Sequence, residues 1–246
     1  MAFREHDRLN LNVLLSGVVG STAYGLAHSG SDRDVLGVYA APTDQLLGLN
    51  PPRESFVSHR PDVTLHEVGK FCRLALGVNP TVTELLWLPD DVYETVTPAG
   101  RELLGLRFAF LSAGRVRAAY LGYALQQLRG LPKYLAAYPR EREGHARKHA
   151  RHLVRLVVQG FGLYATGELR VRLSDADREE CLAVADAVLM AGGDGPARAL
   201  MGRYEELFRT VPSPLARKPD LDRVDQWLRA TRWTLGRPGE PDIERR

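Results

Sequence analysis

The sequence predicts an α+β fold in two parts, a strand-and-helix region over residues 1–104 and an all-helical region over 105–246. Three observations carry this. Short Val- and Leu-rich runs at 12–19 (NVLLSGVV) and 35–40 (VLGVYA), bounded by Gly, Ser or Pro, have the length and composition of buried strands. PDVTLHEV at 61–68 alternates like a third strand, with Asp62, Thr64 and His66 on one face and Val63, Leu65 and Glu67 on the other. From about residue 105 onward, apolar residues recur at helical spacing with no convincing strand between.

The elements follow in order. Residues 41–56, APTDQLLGLNPPRESF, read as a surface connection with a short helical piece, broken at Pro51-Pro52. EVGKFCRLALGV places Val68, Phe71, Cys72 and Ala75 on one face of an amphipathic helix, which Asn79-Pro80 stops. TVTELLWLP reads as a second helix, with Thr81 or Thr83 as N-cap and Glu84 in its first turn. Helical periodicity then marks residues 111–131, 145–169 and 174–193, the last with Ser174 and Asp177 in an N-cap arrangement. RYEELFRTV and DLDRVDQWLRATRWTL are further short helices, and the polar stretch 236–246 reads as a frayed tail.

The composition, 44% apolar and 26% charged in 246 residues, is that of an ordinary soluble protein. No apolar run approaches the roughly 20 residues a bilayer requires, and the first fifteen residues lack a signal-peptide layout. A cytosolic protein without a membrane partner is expected. Cys72 and Cys181 lie in apolar helical patterns without metal-ligand spacing, so both read as core residues. A net charge of +3 does not by itself call for a nucleic-acid partner, although a local basic stripe would suffice for one.

Chemistry concentrates in SGVVGSTAYGLAHSGSDRDVLGVYA, residues 16–40. A strand breaks at Gly20-Ser21, where glycine lets backbone approach a ligand and N–H groups opening a helix can hold phosphate oxygens. Ser21 adds a hydroxyl. Asp32 and Asp34 follow at the mouth of the next strand, spaced to share a face. Adjacent carboxylates repel, so the pair persists most easily around a divalent cation, magnesium or manganese, completed by water and phosphate oxygens. A glycine-rich hairpin with aspartates as turn and cap residues uses the same residue types singly. The ordered combination of strand, Gly-Ser, gap, Asp-x-Asp and strand points to nucleotidyl transfer.

GSTAYGLAHSGSDRDVLGVY resembles the signature of the DNA polymerase beta-like nucleotidyltransferase superfamily. Tyr24-Gly25 and KFCRLALGVNPTVTELLW are similar to the branch of bacterial and phage nucleotidyltransferases associated with RNA repair. The resemblance covers residues 14–90, and more weakly the helix from Lys148 and TGEL at 166–169. It implies a polymerase beta-like palm, a short mixed sheet flanked by helices, as the catalytic domain over 1–104. Gly20 and Ser21 would hold an NTP's triphosphate, and Asp32 and Asp34 the metal. A third carboxylate usually serves as base toward the acceptor hydroxyl; Asp62 is the candidate, with Glu67 as the fallback if a bulge or early helix start turns it inward. The implied reaction moves NMP from an NTP to an acceptor hydroxyl, an RNA end being favoured. A small-molecule or protein acceptor, or a non-catalytic antitoxin-like nucleotide binder, are the alternatives.

His145, His149 and His152 fall on one helical face, with Lys148 and Arg155 near its edge. This face reads as a zinc site, as a basic cleft wall in which Lys148 and His149 contact phosphate, or as a solvated surface. Among the aromatics Tyr24, in the phosphate loop, has the best claim to a ligand contact, while Trp87, Trp227 and Trp233 read as packing residues. Arg33 must point away from its flanking aspartates and reads as structural. Lys70 or Arg73 would either reach a phosphate or lie on a solvated face.

Overall fold

The computed structural model describes residues 11–27, 30–136 and 139–235; the segment 236–246, expected to fray, lies outside them. Five strands form one mixed sheet in the order β3-β4-β2-β1-β5. They are β1 (Asn12–Val19), β2 (Asp34–Ala40), β3 (Ser55–His59), β4 (Asp62–Glu67) and β5 (Tyr93–Val96). β2 and β4 run parallel, and every other pair is antiparallel.

Two of these strands do not show in the sequence pattern. β3 is a short edge strand, SFVSH, whose polar residues hide the alternation, and it makes a hairpin with β4. β5 has only four residues, YETV, pairing with β1 on the opposite edge. Edge strands bury less apolar surface, so their patterns are weak.

Ten α-helices accompany the sheet among the described residues: α1 (Ser21–Tyr24), α2 (Thr43–Leu47), α3 (Val68–Leu76), α4 (Pro80–Glu84), α5 (Pro98–Gly105), α6 (Ala113–Ala136), α7 (Pro139–Thr166), α8 (Asp175–Ala191), α9 (Gly195–Thr210) and α10 (Leu221–Leu235). α3 buries Val68, Phe71, Cys72 and Ala75, the stripe its spacing predicts. α4 departs from expectation. Its N-cap is Asn79, whose side chain accepts from Val82 N at 3.2 Å, with Pro80 at the first helical position. Proline suits that position because its missing N–H would have no helical partner there. Glu84 consequently closes the helix and is fully buried. The sequence pattern also passes over α5 and the first two turns of α9, which opens at Gly195-Pro196 rather than near Arg203. Ser174 caps α8 as expected, accepting from Asp177 N at 3.2 Å.

One apolar cluster runs from Leu14 and Leu36 in the sheet through Phe71 and Phe110 to Val157 and Trp227. The core is thus continuous across residues 104 and 105. Both cysteines are buried and free. A smaller cluster of Val35, Tyr39, Ala41, Val63 and Leu65 covers the other face of the sheet. α6 and α7 pack against each other, and Gly160 of α7 permits this, since a Cβ there would run into the ring of Tyr120.

α10 returns to the sheet. Arg232 donates to both carboxylate oxygens of Glu67, at 3.0 and 2.9 Å, and its backbone oxygen accepts from Thr43 Oγ1 at 2.6 Å. Glu67 also caps α3, accepting from Gly69 N at 2.7 Å.

Candidate active site

Strand register builds the site. Val19, the last residue of β1, is paired with Asp34, the first of β2, and Asp34 is paired with Asp62, the first of β4. The Gly20 turn and both aspartates therefore meet at one end of the three central strands. Asp34 shares its strand face with Leu36, Val38 and Ala40, the face that carries the main core. It is half-buried there, while Asp32, just before β2, and Asp62 are exposed.

Gly20 has φ 71° and ψ −150°, a conformation that favours glycine. A Cβ at this position would also sit 2.5 Å from Asp34 Oδ2. The turn backbone thus lies directly against the carboxylate, and Ser21 opens α1 with no side chain capping it. Gly20→Val is expected to lower magnesium-dependent NTP affinity at the turn sharply, because the branched side chain would displace Asp34 and strain the turn. Calorimetry with an NTP and magnesium checks this, with circular dichroism confirming the fold. Unchanged affinity in a folded variant refutes the cradle.

Burial pushes the Asp34 carboxyl above the ordinary carboxylate range, and the charges of Asp62 and then Asp32 push the same way. The Lys148 ammonium, on α7, opposes them. Three other sequence-derived candidates therefore act electrostatically on Asp34. Among the described residues no group of three or more His, Cys, Asp or Glu residues is placed to hold a metal ion. Carboxylate pairs nevertheless fit magnesium or manganese chemically, because such ions take one or two carboxylates and fill the rest of the shell with water and substrate phosphates. The repulsion that Asp62 and Asp32 exert on Asp34 is what a cation would relieve.

The two candidates for the third carboxylate part company. Asp62 adjoins Asp34, whereas Glu67 is buried, caps α3 and is neutralised by Arg232. The helical face of α7 divides as well. Lys148 acts on Asp34. His149 stacks on Tyr134 of α6 at 4.0 Å between ring centroids, and its Nδ1 pairs with Gln127 Oε1 at 2.6 Å. His145 joins the same stack at 5.9 Å. Burial, reinforced by Arg155, pushes His152 down to about 3, so it is neutral. No zinc site is formed among the described residues.

Tyr24 faces inward. Its hydroxyl donates to Glu84 Oε2 at 2.6 Å, and the Arg155 guanidinium lies 3.9 Å from its ring centroid. Burial and then the Glu84 charge raise its phenol well above the usual value. Arg155 pairs with Glu84 and donates to Gln159 Oε1 at 2.7 Å. Sequence reasoning missed this network, although a signal existed. Glu84 interrupts the apolar run VTELLWL and Arg155 the run LVRLVV, and a charge inside an apolar run is either an error in the pattern or half of a buried pair. Of the remaining cations, Arg33 pairs with Glu94, Arg73 with Glu54, and Lys70 donates to Ser55 Oγ at 2.8 Å. Trp227 donates Nε1 to Glu102 at 3.1 Å while packing in the core.

A family model described as the RNA repair pathway DNA polymerase beta family matches residues 2–183. The chain belongs to this family. No curated protein matches the chain at a significant level. The match to the RNA repair pathway DNA polymerase beta family takes in the whole sheet, the Gly20 turn, all three aspartates and α7, and ends within α8. The α+β architecture, with a five-stranded mixed sheet and a helical region after it, is that of a polymerase beta-like fold.

Proposed function

We propose that the protein is a metal-dependent nucleotidyltransferase that moves an NMP unit from an NTP to an acceptor hydroxyl, with an RNA end as the acceptor. The observation that carries this reading is the register that sets Gly20, Asp34 and Asp62 side by side, with Lys148 acting on the same carboxylate. Membership of the RNA repair pathway DNA polymerase beta family supports it.

In this reading the backbone N–H groups after Gly20 and the Ser21 hydroxyl hold triphosphate oxygens, and Lys148 adds a positive charge to the same anion. Asp32 and Asp34 hold magnesium or manganese, which when bound stabilises the charge developing on the phosphates. Asp62 accepts the proton of the acceptor hydroxyl as its oxygen bonds to the α-phosphorus, and pyrophosphate leaves. Tyr24 supports the turn from beneath. No helix among the described residues is long and apolar enough to cross a membrane, and the proposal sets the enzyme beside its RNA in the cytoplasm.

The test incubates the protein with each of four labelled NTPs and magnesium, first with total RNA and then with protein alone. Label on RNA is the expected result. Label on the protein, or none, overturns the RNA acceptor. Lys148→Ala is expected to weaken RNA binding, with the slope of log affinity against log salt falling by about one, as loss of one phosphate contact requires. An unchanged slope and affinity remove Lys148 from the site.

A further inference from the structure

A cavity of about 640 Å³ lies on the far side of α7's buried network, between α7, the 166–173 segment and Trp87. Its size falls within the range of small-ligand pockets, about 300–1,000 Å³. It is not the site described above, since Gly20, Ser21, the three aspartates and Lys148 take no part in its walls. Gln159 does, and it stands eleven residues after Lys148 on the same helical face, about 16 Å further along the axis.

The lining has unmet capacity of two kinds. Trp87, Phe161 and Tyr204 present aromatic surface, the last two packed edge-on at 5.9 Å. Arg107 holds its guanidinium 5.5 Å from the Trp87 ring centroid, and neither it nor Arg170 makes an ion pair among the described residues. Two carboxylates also line the cavity. Asp177 is engaged by the Ser174 hydroxyl at 2.6 Å, and Glu168 is exposed. An occupant that meets the aromatic wall and the guanidiniums is flat and aromatic and bears an anionic group.

We propose that this cavity is a second nucleotide site that holds a nucleoside monophosphate, its base against the aromatic wall and its phosphate on Arg107 and Arg170. The site is wired to the phosphate turn by consecutive contacts. Gln159 Nε2 donates to Val171 O at 2.8 Å behind the cavity wall, while its Oε1 accepts from Arg155, which pairs with Glu84, which accepts from Tyr24.

Calorimetric titration of AMP, GMP, CMP and UMP, each in EDTA without metal or NTP, tests the site independently of any transfer activity. At least one of the four is expected to bind with a Kd below about 1 mM, and its phosphate-free nucleoside at least tenfold more weakly. Gly162→Leu fills the cavity, because a Cβ at Gly162 meets nothing within 4 Å, and leucine suits a helix better than glycine. This variant, and Arg170→Ala in the same lining, are expected to weaken binding at least tenfold, while folded Gly20→Val retains it. Failure of all four nucleotides to bind the unmodified protein overturns the proposal. So does undiminished binding in both cavity variants, or loss of binding in Gly20→Val, which would return the ligand to the phosphate turn.

Discussion

Asp34→Asn is expected to lower nucleotidyl transfer by two to three orders of magnitude or more while making the nucleotide-free protein more stable at neutral pH. The catalytic loss is of the order that follows removal of one preorganised electrostatic contact in other enzymes, about 10²–10³-fold. The gain in stability comes from the direction of the carboxyl's shift. Its folded-state pKa is raised, by burial first and then by Asp62 and Asp32. Between the ordinary carboxylate pKa and the raised one, the folded state binds more protons than the unfolded, so stability falls as pH rises through that window. Above it the ionised group carries its full penalty. The amide does not ionise, so the variant should be the more stable protein at pH 7 and should lose its advantage in acid. Denaturation across a pH series, read beside transfer assays, checks both halves. A variant that keeps wild-type turnover removes Asp34 from the metal, and one less stable than wild type at pH 7 contradicts the electrostatic account.

Glu84→Ala is expected to cost about 3–5 kcal/mol, the usual penalty for leaving one member of a buried ion pair without its partner. Glu84 is 0% and Arg155 4% exposed, so water cannot replace the lost carboxylate. Tyr24 would lose its acceptor at the same time, and Tyr120, whose buried hydroxyl already has no partner among the described residues, offers none. The discriminating measurement is a cycle with Arg155→Met. If the pair behaves as a unit, the double variant Glu84→Ala/Arg155→Met should recover much of the single-variant loss, since no naked charge remains. Additive losses, or a Glu84→Ala protein within about 1 kcal/mol of wild type, would show that the two charges do not depend on each other.

Much of the candidate site was legible because its signals are local. Gly20-Ser21, Asp32 and Asp34 lie within fifteen residues, and the period of β4 set Asp62 apart from Glu67 by face. What a single segment cannot display is register. That Asp34 pairs with both Val19 and Asp62 depends on which strands neighbour one another, and two of the five strands were too short and polar to be seen. The α7 face shows a second limit. Helical spacing grouped His145, Lys148, His149 and His152, but the outcome depends on what each turn meets. Tyr134 stacks on His149, His152 is half-buried and Arg155 buried, and Lys148 acts on Asp34. Tyr24 was singled out by its position beside the phosphate loop, yet it turned inward because a buried acceptor 60 residues away offered its hydroxyl a better partner than solvent.

The contact between Arg232 and Glu67 spans 165 residues of chain, and this bears on how the protein comes into being. At synthesis rates of about 5–20 residues per second, roughly ten to thirty seconds separate the emergence of the carboxylate from that of its guanidinium. Throughout that interval the nascent sheet holds, at the start of α3, an anion that the finished fold buries and neutralises. The sheet end that gathers the aspartates can form early, but its opposite end cannot be sealed until α10 has been made. A chain cut short before residue 232 therefore lacks the guanidinium that neutralises Glu67 and carries an unpaired acid at that end of the sheet.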